Sequence, residues 1–345
     1  LHHNTLWYYC YLKLKASYFF SVILLLFGRS ELWAKAKSSF EYQKFTESCM
    51  GTEFTILIDH PDQELARNTA TQAFNEAHRL NQILSDYLSD SELSRLSSNS
   101  GSSNFYPITK DLFRVLTASQ KLARETEGAF DITVGPFSRL WRIARFRKVL
   151  PSKAKLLNAQ RRVGYEKLLL DAKKKRAQLV EYAMVLDLGG IAKGYAADQM
   201  LSVIKDFGIK RCLIDAGGDL VIGEPPSGKK GWSVDVGGKT HHQLPKLLLS
   251  NCSVSTSGDM EQFLEVDGTV YSHIIDPRTA IGISSRSQVT VIAKNGMTSD
   301  SLASACLVLG FDASFGVLRA YGVDAAYFIK HENGSDIMMK YKKNP

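Results

Sequence analysis

The chain has 345 residues, 44% of them hydrophobic and 23% charged, with only 9 prolines, so it can bury a sizeable core and lacks the composition of a disordered protein. Its formal net charge is +8, but no nucleic-acid-binding module is recognisable and nucleic acid is not expected as a partner. Cys10, Cys49, Cys212, Cys252 and Cys306 form no C-x-x-C pair, which gives zinc no support; buried free thiols are expected, with one disulfide as the alternative.

Lys13 and Lys15 precede the apolar run Tyr18 to Phe27, and Ala34-Lys35-Ala36 then places small residues at alternate positions. This order predicts a secretory signal peptide over 1–36, cleaved after Ala36, because the run falls short of the ~20 residues a spanning helix needs. An uncleaved N-terminal anchor is the alternative. Removing 1–36 takes away four basic residues and one acid, which leaves a net charge of +5. A single domain is expected over 37–345.

Within that domain, residues 49–59 alternate as a strand with Phe54, Ile56 and Ile58 on one face. Pro61-Asp62 opens a helix whose Leu65, Ala73, Ala77, Leu80 and Leu84 face inward. Tyr87 to Asn104 reads as a Ser-rich loop. Thr109 caps a second helix, with Leu112, Leu116 and Leu122 inward and Gly128 as its stop. A basic insertion around 139–176, with Arg145-Phe146-Arg147-Lys148 and Lys173-Lys174-Lys175-Arg176, reads as solvated charged surface. A face toward anionic lipid, such as an inner-membrane surface, or toward an acidic partner is the alternative. Met184-Val185-Leu186 is expected as a buried strand and Ile191 to Phe207 as a helix. Strands at 212–215 and 219–222 flank the tight turn Ala216-Gly217-Gly218, and others are expected at 232–236, 252–255, 269–274 and 288–293. A helix from Asp300 to Leu309 and a strand near 325–329 complete a pattern without strict alternation, which is α+β. The pair His241-His242 reads as exposed surface.

Three stretches could carry chemistry. Asp187-Leu188-Gly189-Gly190 ends a strand and Ile191-Ala192-Lys193 opens a helix, where free N–H groups favour a phosphate and Lys193 adds charge; packing alone would also explain the glycines. Asp300 and Ser304 stand four apart at a predicted helix start, so they share a face and offer a carboxylate and a hydroxyl to a hard cation such as magnesium. Simple helix-end roles are the alternative. His273, at a strand end before Asp276-Pro277-Arg278, is placed as a general base with Asp276 as its orienting partner, or else as a satisfied histidine in a Pro turn.

In order along the chain, Met50-Gly51-Thr52-Glu53-Phe54, Tyr87 with Ser91-Glu92-Leu93, Gly128 to Pro136, Asp187 to Asp198, Asp215 to Asp219, Ser255 to Gly258, His273 to Thr279 and Thr298 to Gly310 together resemble the ApbE family of FAD:protein FMN transferases. The resemblance implies a two-lobed α+β fold with mixed or antiparallel sheets and FAD in the cleft between lobes. It implies that Met50, Tyr87, Ala129, Phe130, Asp131, Gly190, Lys193 and Ile275 line the flavin site. It further implies that Asp300, Ser304 and the Ala192 carbonyl hold Mg2+. FAD would be substrate, the acceptor an exported flavin-carrying protein such as a redox-pump subunit, and the location periplasmic. FAD hydrolysis and non-catalytic flavin binding are the alternatives. Three positions depart from the family pattern. Ser304 replaces threonine and Ser299 replaces a frequent alanine. Ala280 stands where glycine usually follows Asp-Pro-Arg-Thr, which would strain a turn needing positive φ.

Overall fold

The computed structural model describes residues 42–236, 246–258, 263–332 and 335–343. The expected signal peptide with Cys10, and the pair His241-His242, lie outside them. The chain begins with β1 (Gln43–Cys49), β2 (Thr52–Ile58), α1 (Gln63–Leu84), α2 (Glu92–Ser98), β3 (Tyr106–Pro107) and α3 (Lys110–Glu125). A 3-10 turn (Ile132–Val134) leads into α4 (Gly135–Arg147), α5 (Lys153–Gln160), β4 (Leu168–Asp171), β5 (Arg176–Leu179) and α6 (Ala192–Asp206). Next come β6 (Cys212–Ala216), β7 (Leu220–Ile222), β8 (Trp232–Asp235), β9 (Lys246–Leu249) and β10 (Cys252–Gly258). Short strands β11 (Phe263–Val266), β12 (Thr269–Ser272), β13 (Ile275–Asp276) and β14 (Ile281–Gly282) precede β15 (Ser287–Ala293), α7 (Gly296–Leu309), α8 (Phe311–Ala320), β16 (Ala325–Glu332) and β17 (Ser335–Lys342).

Eight strands form one sheet in the order β1-β2-β6-β7-β10-β15-β16-β17, every neighbouring pair antiparallel. Period-two alternation sends side chains to both faces. Phe54, Ile56, Ile58, Ile214, Val221, Val291 and Phe328 join α1, α3, α6 and α7 in the main core. Leu213, Ile222, Val254, Ile292, Tyr327 and Ile329 pack on the other face with Trp232 and Val234 of the β8–β9 hairpin. A second lobe has its own small core: Phe137, Trp141 and Ala144 of α4, Ala159 and Val163, and Leu264, Ile275 and Ala280. The fold is α+β as expected.

Several local readings change. The strand expected over 49–59 is the second arm of a hairpin, with Met50 and Gly51 both at positive φ (50° and 77°) between paired Cys49 and Thr52. Two left-handed residues in a two-residue loop match the twist of the strands they join. The Ser-rich loop contains α2, whose N-cap Ser91 accepts from the Ser94 N–H (3.0 Å). Met184 and Leu186 are buried, with half-buried Val185 between them, but the three belong to no sheet. The basic stretch is not uniformly solvated, because Trp141, Ala144, Ala159 and Val163 anchor it to the second lobe. Cys49, Cys212, Cys252 and Cys306 are free and buried, and burial pushes the Cys212 thiol up to about 12.

The α6–α7 contact is the tightest crossing near the predicted site. A Cβ on Gly194 would lie 2.1 Å from the Gly296 carbonyl oxygen, and one on Gly296 would lie 2.4 Å from that of Gly194. Gly194→Ala is therefore expected to destabilise the protein by about 3 kcal/mol, the upper range for overpacking a tight core. Urea titration against wild type measures this, and an unchanged midpoint would refute the contact.

Candidate active site

The loop from Asp187 to Gly190 is tied down at each step. The Asp187 N–H donates to the Ile132 carbonyl (2.8 Å), the Leu186 N–H to Ser97 Oγ (3.2 Å), and the Gly189 N–H to Asp187 Oδ1 (2.9 Å). Arg142 of α4 reaches Asp187 at 3.3 Å and Asp86 at 2.7 Å. Burial raises the Asp86 carboxyl above its ordinary range; Asp187 adds to this and Arg142 opposes it. The Arg142 guanidinium also lies 4.3 Å from the centre of the Tyr87 ring, an attractive arrangement with the ring's π face. Tyr87 is 77% exposed, so the side chain held by Arg142 remains available to a planar ligand.

At the end of this loop, Gly190 allows close approach to α7. A Cβ there would sit 2.9 Å from Ser304 Oγ and 3.5 Å from the Phe130 ring. Three predicted site residues thus meet at one point. The helix α6 starts two residues later with Ala192, and its Gly194 N–H donates to Asp300 Oδ2 (2.9 Å). Reciprocally, Asp198 of α6 accepts from the first N–H groups of α7, Gly296 (2.6 Å) and Met297 (2.9 Å). Each helix start receives a carboxylate from the other, where orphan N–H groups and the helix dipole favour negative charge.

This geometry corrects the expected place of Asp300. Asn295 caps α7, its Oδ1 accepting from the Thr298 N–H (2.9 Å), so Asp300 stands in the second turn and serves the neighbouring helix. It is buried. Burial pushes its carboxyl up to about 7, the Asp219 charge adds to this, and Lys193 and the Gly194 N–H oppose it. Lys193 forms an ion pair with the buried Asp219. Ser299, which replaces a frequent alanine, is a hub: its hydroxyl bonds those of Ser253 (2.7 Å) and Ser255 (2.8 Å). Ser304 Oγ lies 3.1 Å from Ser257 Oγ. Together these hydroxyls seat α7 on β10.

The predicted metal ligands fit a hard cation. Asp300 Oδ1 takes no hydrogen bond among the described residues, Ser304 stands one turn further along the same face, and the third donor, the Ala192 carbonyl, belongs to the first turn of the abutting helix. All three donors are oxygens, as magnesium prefers. Among the described residues no group of three or more His, Cys, Asp or Glu side chains could hold a metal, so an ion here would draw its remaining ligands from water and substrate.

The second lobe carries His273, Ile275 and Asp276. The Ser272 N–H donates to the Ile283 carbonyl (2.7 Å) and the Ile283 N–H to the Ile274 carbonyl (2.9 Å), which fixes the backbone on both sides of half-buried His273. Both Asp276 oxygens are taken by Arg278: Oδ1 accepts from its N–H and Nε, and Oδ2 from Nη2, each at 2.9 Å. Asp276 therefore shapes the turn. In that turn Ala280 has φ 66° and its carbonyl accepts from Trp141 Nε1 (2.9 Å). Alanine in this region costs roughly 1–2 kcal/mol relative to right-handed backbone, so the strain that the sequence raised is present. Gly128 is close to the same turn, a Cβ on it lying 3.9 Å from Arg278 Cγ.

Met50 sits in the β1–β2 turn, and Thr52 at the end of that turn lies against the turn that carries Asp219: a Cβ on Gly217 would lie 2.5 Å from the Thr52 side chain. Ala129 and Phe130 are buried beside Gly128. Asp131 caps the 3-10 turn, its Oδ1 accepting from both the N–H and the hydroxyl of Thr133 (2.8 Å each). Cavities of about 320 and 500 Å3, one beside Arg114 and Lys294 and one beside Arg79 and Arg95, include none of the predicted site residues. Sequence reasoning passed over Asp198, Asp219, Arg142 and Ser257. The first two ended stretches already singled out, but nothing in spacing alone revealed their partners.

An antiparallel α+β fold with two abutting, mutually capped helix starts beside a glycine-rich loop is the frame that carries the candidate site. The chain belongs to the ApbE family, whose model matches residues 50–328. It is 30% identical over 74% of its length, and 76% of the relative's, to the FAD:protein FMN transferase of Haemophilus influenzae. It is 31% identical over 74% of its length, and 75% of the relative's, to that of Treponema pallidum. The crystal structure of an ApbE protein from Thermotoga maritima superposes with a TM-score of 0.75 at 27% identity, covering 87% of this chain and 96% of that one. The flavin transferase ApbE from Vibrio cholerae gives 0.74 at 26% identity, covering 88% and 97%.

Burial pushes the Asp131 carboxyl up to about 6, against the opposing hydrogen bonds from Thr133. A carboxyl raised on folding stabilises the fold while protonated, so its contribution is complete below the unfolded value of 3.8 and is lost as pH rises through about 6. Asp131→Asn keeps an acceptor for Thr133 and removes the charge. Relative to wild type it should gain stability between pH 4 and 7, on the order of 2–3 kcal/mol. Thermal melts across that range test this; a difference that does not change with pH would refute it.

Proposed function

We propose that this chain is an FAD:protein FMN transferase that uses Mg2+, places FMN on a threonine hydroxyl of an acceptor protein and releases AMP. The observation that carries the reading is the corner where Gly190, Asp300, Ser304 and the first turn of α6 converge, together with the transferase names of relatives matching most of the chain. The apolar N-terminal stretch supports action outside the cytoplasm, in the periplasm, on an exported redox protein such as a redox-pump subunit.

In this reading Tyr87, backed by Arg142, meets the flavin ring, and Met50, Phe130 and Ile275 add apolar surface around it. The Gly190 N–H and the Lys193 ammonium, which also pairs with Asp219, receive pyrophosphate oxygens. Asp300, Ser304 and the Ala192 carbonyl hold Mg2+, which when bound neutralises charge on the pyrophosphate. The acceptor hydroxyl oxygen forms a bond to the FMN-side phosphorus, and the pyrophosphate P–O bond breaks. AMP leaves with the bridging oxygen, and His273 takes the hydroxyl proton. The backbone bonds to Ile283 on either side of His273 support this role by limiting its movement.

Incubation with FAD, Mg2+ and an acceptor domain bearing a Ser/Thr-Gly-Ala-Thr-like target should give flavin fluorescence on the acceptor in a denaturing gel. FMN and AMP with an unlabelled acceptor would refute transfer. His273→Ala should still bind FAD while transfer falls roughly 10²–10⁴-fold; wild-type rates would remove it as the base. Asp300→Asn keeps an acceptor for Gly194 and should abolish any rise in melting temperature on adding Mg2+, and an equal rise in both proteins would displace the metal from this corner.

A further inference from the structure

The helix α4 presents two apolar faces. Phe137, Trp141 and Ala144 recur at helical spacing and are buried in the second lobe. Ile143 and Phe146 lie on the opposite side, 52% and 90% exposed. Val149 and Leu150 continue this exposed surface across the corner to α5, where Leu157 is 54% exposed. Packing of the lobe accounts for the first face only, and a cluster of large apolar side chains in water marks an interaction surface.

The charges along this stretch of chain are all of one sign. From Arg139 to Arg162 the chain has nine basic residues and no Asp or Glu, and Arg139, Arg147, Lys148, Lys153, Lys155 and Arg161 are exposed. The αL residue Lys148 (φ 53°) ends α4 and turns the backbone back, with the Val149 N–H donating to the Ala144 carbonyl (3.2 Å). The apolar tips therefore sit on a protruding corner between two helices. Exposed apolar side chains bordered by Lys and Arg are the pattern of segments that seat in a lipid interface. We propose that the α4–α5 corner docks on an anionic lipid bilayer, with Phe146, Val149 and Leu150 entering the headgroup boundary and the surrounding cations meeting lipid phosphates. Because α4 also carries Arg142, which holds Tyr87 and Asp187, a membrane-docked corner would present the predicted site close to the bilayer surface. The proposal does not depend on the chemistry assigned to that site.

The test uses the full chain, with Cys10→Ser and a single environment-sensitive dye on Ala154→Cys, since the four described cysteines are buried. Vesicles of phosphatidylcholine containing about one-third phosphatidylglycerol should shift the dye emission to the blue, and pure phosphatidylcholine should not. The dye reports the corner itself, so tethering through residues 1–36 does not imitate the signal. Phe146→Ser with Val149→Ser should abolish the shift. Arg147→Glu with Lys153→Glu should raise the lipid concentration required by about 10-fold or more, as should added salt. An unshifted dye on anionic vesicles, or a shift unaltered by either pair of substitutions, would overturn the proposal. The same holds if the dye responds only to an added acidic protein, which would assign the corner to a protein partner.

Discussion

Two carboxylates exchanged between α6 and α7 hold the centre of this protein together. Asp300 accepts from Gly194 and Asp198 from Gly296 and Met297. The exchange is possible only because the helices touch at glycines. Burying a carboxylate is costly unless hydrogen bonds and opposite charge offset the lost hydration. Here the offsets are main-chain N–H groups at the positive ends of two helices, with Lys193 near Asp300. Charge-assisted bonds of this kind are roughly twice as strong as neutral ones, and their directionality orients the crossing. The serine contacts beneath α7 then fix its height above the sheet.

The remaining parts of the candidate site depend on that crossing. The loop leading into α6 carries Gly190 against Ser304, and the same loop is held from the outside by Arg142. Arg142 grips Asp86, Asp187 and Tyr87 at once, so it couples the second lobe's helix to the helix-start corner. Strain collects around the rim. Met50 and Ala280 both occupy the left-handed region, which non-glycine residues adopt at a cost when surrounding structure dictates it. In each case that structure is visible: a two-residue hairpin for Met50, and the Asp276 turn with the Trp141 hydrogen bond for Ala280.

Much of the fold was legible where periodicity was strong. Phe54, Ile56 and Ile58 announced their strand, and Asp62 and Thr109 capped the helices expected of them. Readings failed where the deciding contact was distant. The start of α7 was placed near Asp300 because Asp in a first turn is ordinary helix chemistry, whereas Asn295 caps the helix and Asp300 serves α6. Met184 and Leu186 are as buried as any strand, but their backbone partners are Ser97 and turn carbonyls. The helix α2 was hidden by serines that also suit loops. For the site, resemblance supplied the residues, and local pattern could not show that Asp276 is taken by Arg278 or that Asp198 and Asp219 complete the electrostatics. Such pairings join positions as far apart in sequence as Asp198 and Gly296.

The four buried cysteines separate the native molecule from the redox state of its surroundings. Thiol chemistry needs an accessible thiolate, and burial raises the Cys49, Cys212, Cys252 and Cys306 thiols well above neutrality. Among the described residues, the folded protein therefore offers an oxidant no thiol from which to make a covalent crosslink. An unfolded chain has no such shield, so an oxidant encountered before the sheet closes would trap mispaired sulfurs that the finished structure never forms.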